Sequence, residues 1–98
     1  MDGIYDINFN TPMGRMCGKI YLKEKGNGLI SCMLEIMNMK NNLEDGKVQF
    51  NKCYFTGNLK NKMLNINYNI AAELIGNTLN IYAKTNMGDF SFKANKIG

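Results

Sequence analysis

The chain has 98 residues, 45% of them hydrophobic, with twelve basic and eight acidic side chains and a net charge of +4. That length suits one domain, spanning 1–98, and the apolar share excludes a disordered chain. Histidine is absent, which removes the usual general base, the Ser-His and Cys-His nucleophile pairs, and proximal-histidine haem ligation.

Tyr5, Ile7 and Phe9 alternate with Asp6, Asn8 and Asn10, the period of two that a half-buried strand requires. Thr11-Pro12-Met13-Gly14 holds the proline and glycine of a turn, and Met16, Gly18, Ile20 and Leu22 then alternate with Cys17, Lys19, Tyr21 and Lys23. Gly26-Asn27-Gly28 permits the positive φ of a tight reversal, so Leu29 to Met37 is read as a third strand. Polar Asn38 to Asn42 predicts another turn. A short strand around Leu43 is expected to end in a hairpin at Asp45-Gly46, and Val48 and Phe50 lead to a reversal at Asn51-Lys52.

Cys53 to Leu59 returns, and the strictest alternation follows: Leu64, Ile66, Tyr68, Ile70, Ala72 and Leu74 against Asn65, Asn67, Asn69, Ala71 and Glu73. Gly76-Asn77 turns the chain into Leu79, Ile81 and Ala83; after Asn86-Met87-Gly88, Phe90, Phe92 and Ala94 form the last strand. No segment carries a helical period. An open sheet of about eight strands would leave two edges and an uncovered apolar face, so the expected fold is all-β, an antiparallel up-and-down meander closed into a small barrel.

The chain also lies over itself fifty residues on, without a gap: Asn8 on Asn58, Met13 on Met63, Ile20 on Ile70, Gly26 on Gly76, Asn27 on Asn77, Leu29 on Leu79 and Met37 on Met87. Two copies of one meander would complete a common core. Residues that face inward in one copy should do so in the other, which places Leu29, Ser31, Met33, Glu35 and Met37 beside Leu79, Ile81, Ala83, Thr85 and Met87 on the inner wall. Plain hydrophobicity assigns the third strand the opposite way, with Ile30, Cys32, Leu34 and Ile36 buried. In the repeat register these four join Cys17 and Tyr21 as an outer apolar patch, an interface for a second copy; a one-residue bulge would reverse the strand and hide them.

Thr11-Pro12-Met13-Gly14, its echo Thr85-Asn86-Met87-Gly88, and the Gly-Asn-x-Leu turns at Gly26 and Gly76 resemble the repeated Thr-Pro-x-Gly and Gly-x-x-Leu-x-Gly hairpins of small bacterial β-barrel domains. In outline these are similar to the lipocalin and avidin class. Lys60-Asn61-Lys62-Met63 lacks the first pattern, and Ser31 stands where the second has glycine. The resemblance implies binding of a small ligand inside a barrel and names neither ligand nor reaction.

The primary functional expectation is therefore a non-enzymatic barrel binding a small apolar or amphipathic molecule, lined by Tyr5, Phe9, Met16, Leu64, Tyr68, Phe90 and Phe92, with Ser31 and Glu35 as polar groups at the interior. Its alternative is a scaffold module that self-associates as a homodimer through Cys17, Tyr21, Ile30, Cys32, Leu34 and Ile36. Nucleic-acid binding would need tyrosines exposed among lysines, and Tyr21, Tyr54 and Tyr82 do not cluster in sequence while the lysines are scattered. Cys17, Cys32 and Cys53 have no Cys-x-x-Cys spacing, so reduced packing thiols are expected, with no metal or cofactor. No run of eighteen apolar residues occurs, and Met1-Asp2-Gly3-Ile4 lacks the basic start of a secretory signal; a cytoplasmic protein without a membrane segment is expected.

Overall fold

The computed structural model describes the backbone of residues 1–11, 14–36, 39–60 and 65–98, and the side chains of all of these except 9–11, 16, 36, 39, 44, 45, 59 and 60. Eight strands follow one another: β1 (Gly3–Thr11), β2 (Gly14–Gly26), β3 (Leu29–Ile36), β4 (Met39–Gln49), β5 (Lys52–Lys60), β6 (Asn65–Ile75), β7 (Thr78–Thr85) and β8 (Gly88–Lys96). Each pairs antiparallel with its chain neighbour, and β8 returns to β1, so the meander closes into a barrel. Closure gives the end strands partners that an open sheet would deny them. Among the described residues, no helix is long and apolar enough to cross a membrane.

The reversals follow local chemistry. Asn27 and Gly28, at φ 57° and 75°, join β2 to β3. Between β7 and β8 the Thr85 hydroxyl donates to the Gly88 carbonyl (2.6 Å) and accepts from the Met87 amide (3.0 Å), which is the physical use of threonine at the head of that turn. One expected reversal is displaced and one does not form: β3 and β4 already pair antiparallel at Ile36 and Met39. Residues 39–42 are strand, and Asp45-Gly46 lies inside β4, where the step from Leu43 to Gly46 spans three residues against the two from Ile30 to Cys32. This bulge absorbs the turn-like pair. Gly46 answers a packing need, because a Cβ there would stand 2.6 Å from Phe55 Cδ1 and closer still to Cε1.

The third strand obeys hydrophobicity, which corrects the outward placement of its apolar residues. Ile30 is fully buried and Cys32 nearly so, both in the core, and Leu34 packs against it. The reason is a second bulge: Gly26 pairs with Leu29 but Glu24 with Ile30, leaving Lys25 over on β2. Before the bulge, inward positions correspond at an offset of fifty, Ile20 with Ile70 and Leu22 with Ala72; after it they correspond at forty-nine, Ile30 with Leu79 and Cys32 with Ile81. One inserted residue flips every later side chain to the other face.

The core gathers at one end of the barrel. Tyr5, Ile7, Ile20, Leu22, Ile30, Leu43, Cys53, Phe55, Leu79, Ile81 and Ala94 are buried there, with Met1 packed against them. Both seams between the four-strand halves also lie at this end. β4 meets β5 only from Lys47–Gln49 to Lys52–Tyr54, and β1 meets β8 at Tyr5–Ile7 against Ala94–Lys96, extended by bonds between Ile4 and the Ile97-Gly98 backbone. The described ladder pairing between the two halves is that of these two seams.

Candidate functional site

The closed end is filled by side chains, as a barrel of eight strands permits. Tyr5, expected to line a ligand site, is fully buried, and its hydroxyl donates to the Met1 carbonyl at 2.8 Å. Burial, followed by the nearby Cys53, Asp2 and Glu24, raises its pKa. The Met1 amino group pairs with the Glu24 carboxylate, and Asp2 accepts the Glu24 amide, so this end is tied shut. Tyr5 is thus a packing residue here.

Ser31 and Glu35 are also corrected. They alternate with buried Ile30, core Cys32 and Leu34, which puts them on the outer face; Glu35 sits in the ladder between Lys19 and Lys40, and the Ser31 hydroxyl donates to the Lys23 carbonyl. A carboxylate in that position keeps its hydration and has no interior cost to offset. The expected outer patch dissolves for the same reason, since Ile30 and Cys32 belong to the core and Leu34 packs on it. Of the remaining patch residues, Cys17 is exposed and Tyr21 half-buried. The side chains of Phe9, Met16 and Ile36, and the whole of Leu64, lie outside the described residues.

Tyr68, Phe90 and Phe92 do share the inner wall of the second half, away from the packed end. Cross-strand pairing builds the rows Gly57, Tyr68, Thr85 and Phe55, Ile70, Ala83, Phe90, with Phe92 beside Ile81 in the next. Phe55 is buried, whereas Tyr68 and Ile70 are half-buried and Phe90 is 55% exposed. Phe90 lies beyond the described pairing of β8 with β1, which runs from Ala94 to Lys96 on β8. Tyr68 lies across Gly57, where a Cβ would come within 2.6 Å of its hydroxyl; only glycine lets the ring lie flat. Burial, then the Cys32 thiol, raises the Tyr68 pKa, so the phenol is a neutral donor at physiological pH.

A depression of about 400 Å³ opens chiefly on the other, outer face of these strands, lined by Thr56, Asn67, Asn69, Lys84 and Asn86, and meets the wall only at Gly57, Tyr68 and Thr85. Asparagine bonding shapes its rim: the Asn67 amide donates to Asn86 Oδ1 (3.0 Å), Asn86 Nδ2 donates to the Asn65 carbonyl (3.0 Å), and Asn58 Nδ2 reaches the side-chain oxygens of Asn65 and Asn67. The asparagines of the strict β6 alternation therefore make a polar border on the outer face, opposite the apolar wall. Sequence reasoning passed over this border because single asparagines carry no pairing signal until strands are in register.

All three cysteines carry free thiols. Burial pushes Cys32 up to about 12 and Cys53 up to about 11, which makes both poor nucleophiles. Among the described residues, no group of three or more Cys, Asp or Glu side chains converges on a metal-binding geometry. Compared with known proteins, the chain matches no family model, no curated protein and no solved structure.

Proposed function

We propose that this barrel is a non-enzymatic binding protein that takes a small amphipathic molecule at the end opposite its packed core. The apolar part would lie on Tyr68, Ile70, Ala83 and Phe90, and the polar part would meet the Tyr68 hydroxyl on the same wall. The observation that carries this reading is the incompletely covered inner wall, where half-buried Tyr68 and Ile70 stand near Phe90 at 55% exposure. Burial of apolar surface with a few orienting polar groups is sufficient mechanism. The outline shared with lipocalin-like and avidin-like barrels supports the same class of role.

The test is a titration with 1-anilinonaphthalene-8-sulfonate, an amphipathic anion, followed by fluorescence on fully folded protein. Saturable binding at one molecule per chain is expected, and Phe90→Asp should weaken it severely while leaving the thermal melt near that of the parent. Binding that fails to saturate, or is indifferent to Phe90→Asp in a folded variant, refutes the reading.

A further inference from the structure

The outer surface of β4 to β8 holds a second feature, separate from the mouth of the barrel. Register places Tyr54 of β5, Ala71 of β6 and Tyr82 of β7 in one cross-strand row, with Lys47 and Ser91 at its ends. Alternation turns this row outward, since Cys53, Phe55, Ala72 and Ile81 occupy the core, and the two tyrosines are 45% and 57% exposed. Neighbouring strands lie about 4.8 Å apart, so the two rings stand on backbones about 10 Å apart with only a methyl group between them.

Three depressions run along this row, and the tyrosines are their partitions. The central one, about 160 Å³, lies between Tyr54 and Tyr82 over Ala71. Tyr54 also walls a depression of about 360 Å³ toward Leu29 and Lys47, and Tyr82 walls one of about 220 Å³ toward Ser91 and Lys93. The central depression is open to solvent, and the gap between the two tyrosines gives room for a planar ring over Ala71.

Each depression has its own lysine: Lys47, Lys52 and Lys93. The only acid in the three linings is Glu73, 3.7 Å from Lys52 in a pair that is half open to solvent and readily exchanged for another anion. Asn27, Gln49, Asn80 and Ser91 add neutral hydrogen-bonding groups along the track. A repeat of flat aromatic surface, ring-sized gap and cation matches a polymer that repeats a planar base and an anionic link. The geometry points to single-stranded nucleic acid crossing the strands, with bases seated against Tyr54 and Tyr82 and phosphates at Lys47, Lys52 and Lys93.

The experiment is fluorescence anisotropy of a labelled oligothymidylate of about twelve residues, titrated with the full chain over a series of potassium chloride concentrations. Three neutralised phosphates predict a slope of log K against log salt of about −2, and Lys47→Gln or Lys93→Gln should each flatten it by about 0.7. Tyr54→Ala and Tyr82→Ala should each weaken binding about tenfold, with Tyr→Phe retaining affinity at either site. Ala71→Leu, which fills the central gap without changing charge, should weaken binding as well and serves if a tyrosine variant loses its thermal melt. Phe90→Asp should leave oligonucleotide affinity unchanged, which separates this face from the barrel mouth. Absence of binding at low salt, equal affinity for duplex DNA or heparin, or tyrosine and Ala71 variants that bind like the parent would overturn the proposal.

Discussion

Gly46→Ala tests the packing argument at its tightest point. Glycine to alanine at an unstrained extended position stabilises a fold by about 0.4–1 kcal/mol, because it restricts the unfolded chain. Gly46 has no positive φ, so backbone conformation does not oppose the change; the Phe55 ring does, with Cδ1 and Cζ at 2.6 and 2.7 Å from where the new Cβ would stand. An ordinary carbon contact is about 3.5–4.0 Å, so the ring must move by roughly 1 Å or more. Phe55 is only 3% exposed and pairs across the strands with Ile70, which leaves it little room. Overpacking of this kind costs about 1–3 kcal/mol, more if the ring is expelled, so about 2–3 kcal/mol is expected. With a urea dependence of about 1 kcal/mol per M, the unfolding midpoint should fall by about 2–3 M. Phe55→Ala alone should cost about 3 kcal/mol, yet adding Gly46→Ala to it should cost nothing further, a coupling of about 2 kcal/mol. A Gly46→Ala protein as stable as the parent, or two losses that simply add, would refute the account.

Ile30→Lys should abolish the cooperative melt, because it places an ammonium in the core, whereas Ser31→Lys on the outer face should stay within about 0.5 kcal/mol of the parent; the reverse result would restore the repeat register. Burial holds Cys32 at about 12 and Cys53 at about 11, above the 9.0 of an unperturbed thiol, so the folded chain keeps protons that the unfolded chain loses. Their contribution to stability is whole below about pH 9 and lost as pH rises toward 11–12; melting temperature should fall over that window, less steeply in Cys53→Ala. Iodoacetamide at neutral pH should modify exposed Cys17 and spare Cys32 and Cys53 in native protein, read by mass spectrometry. Phe50 sits at φ 57° with 91% of its surface exposed, so Phe50→Gly should raise stability by about 0.5–1 kcal/mol in a urea melt, since it relieves a left-handed conformation and removes no packing.

Fold class was legible in the chain because a period of two is a local signal. Leu64 through Leu74 could only be a strand, and turn residues at Gly26, Gly76 and Gly88 set where strands end. Asp45-Gly46 misled because a turn and a bulge use the same residues; whether Gly46 reverses the chain or receives the Phe55 ring depends on a partner nine residues away. The facing of β3 was likewise beyond local reading. A single unpaired residue at Lys25 changes the offset between the halves from fifty to forty-nine, and with it the side of the sheet that Ile30 and Ser31 occupy. Hydrophobic burial decides such a conflict because it sums over the whole strand, while a bulge disturbs the ladder at one point. The outward direction of Tyr54 and Tyr82 could be read from their neighbours in sequence. Their partnership across Ala71 could not, because it is made by the pairing of β5, β6 and β7, and pairing is a property of the folded sheet.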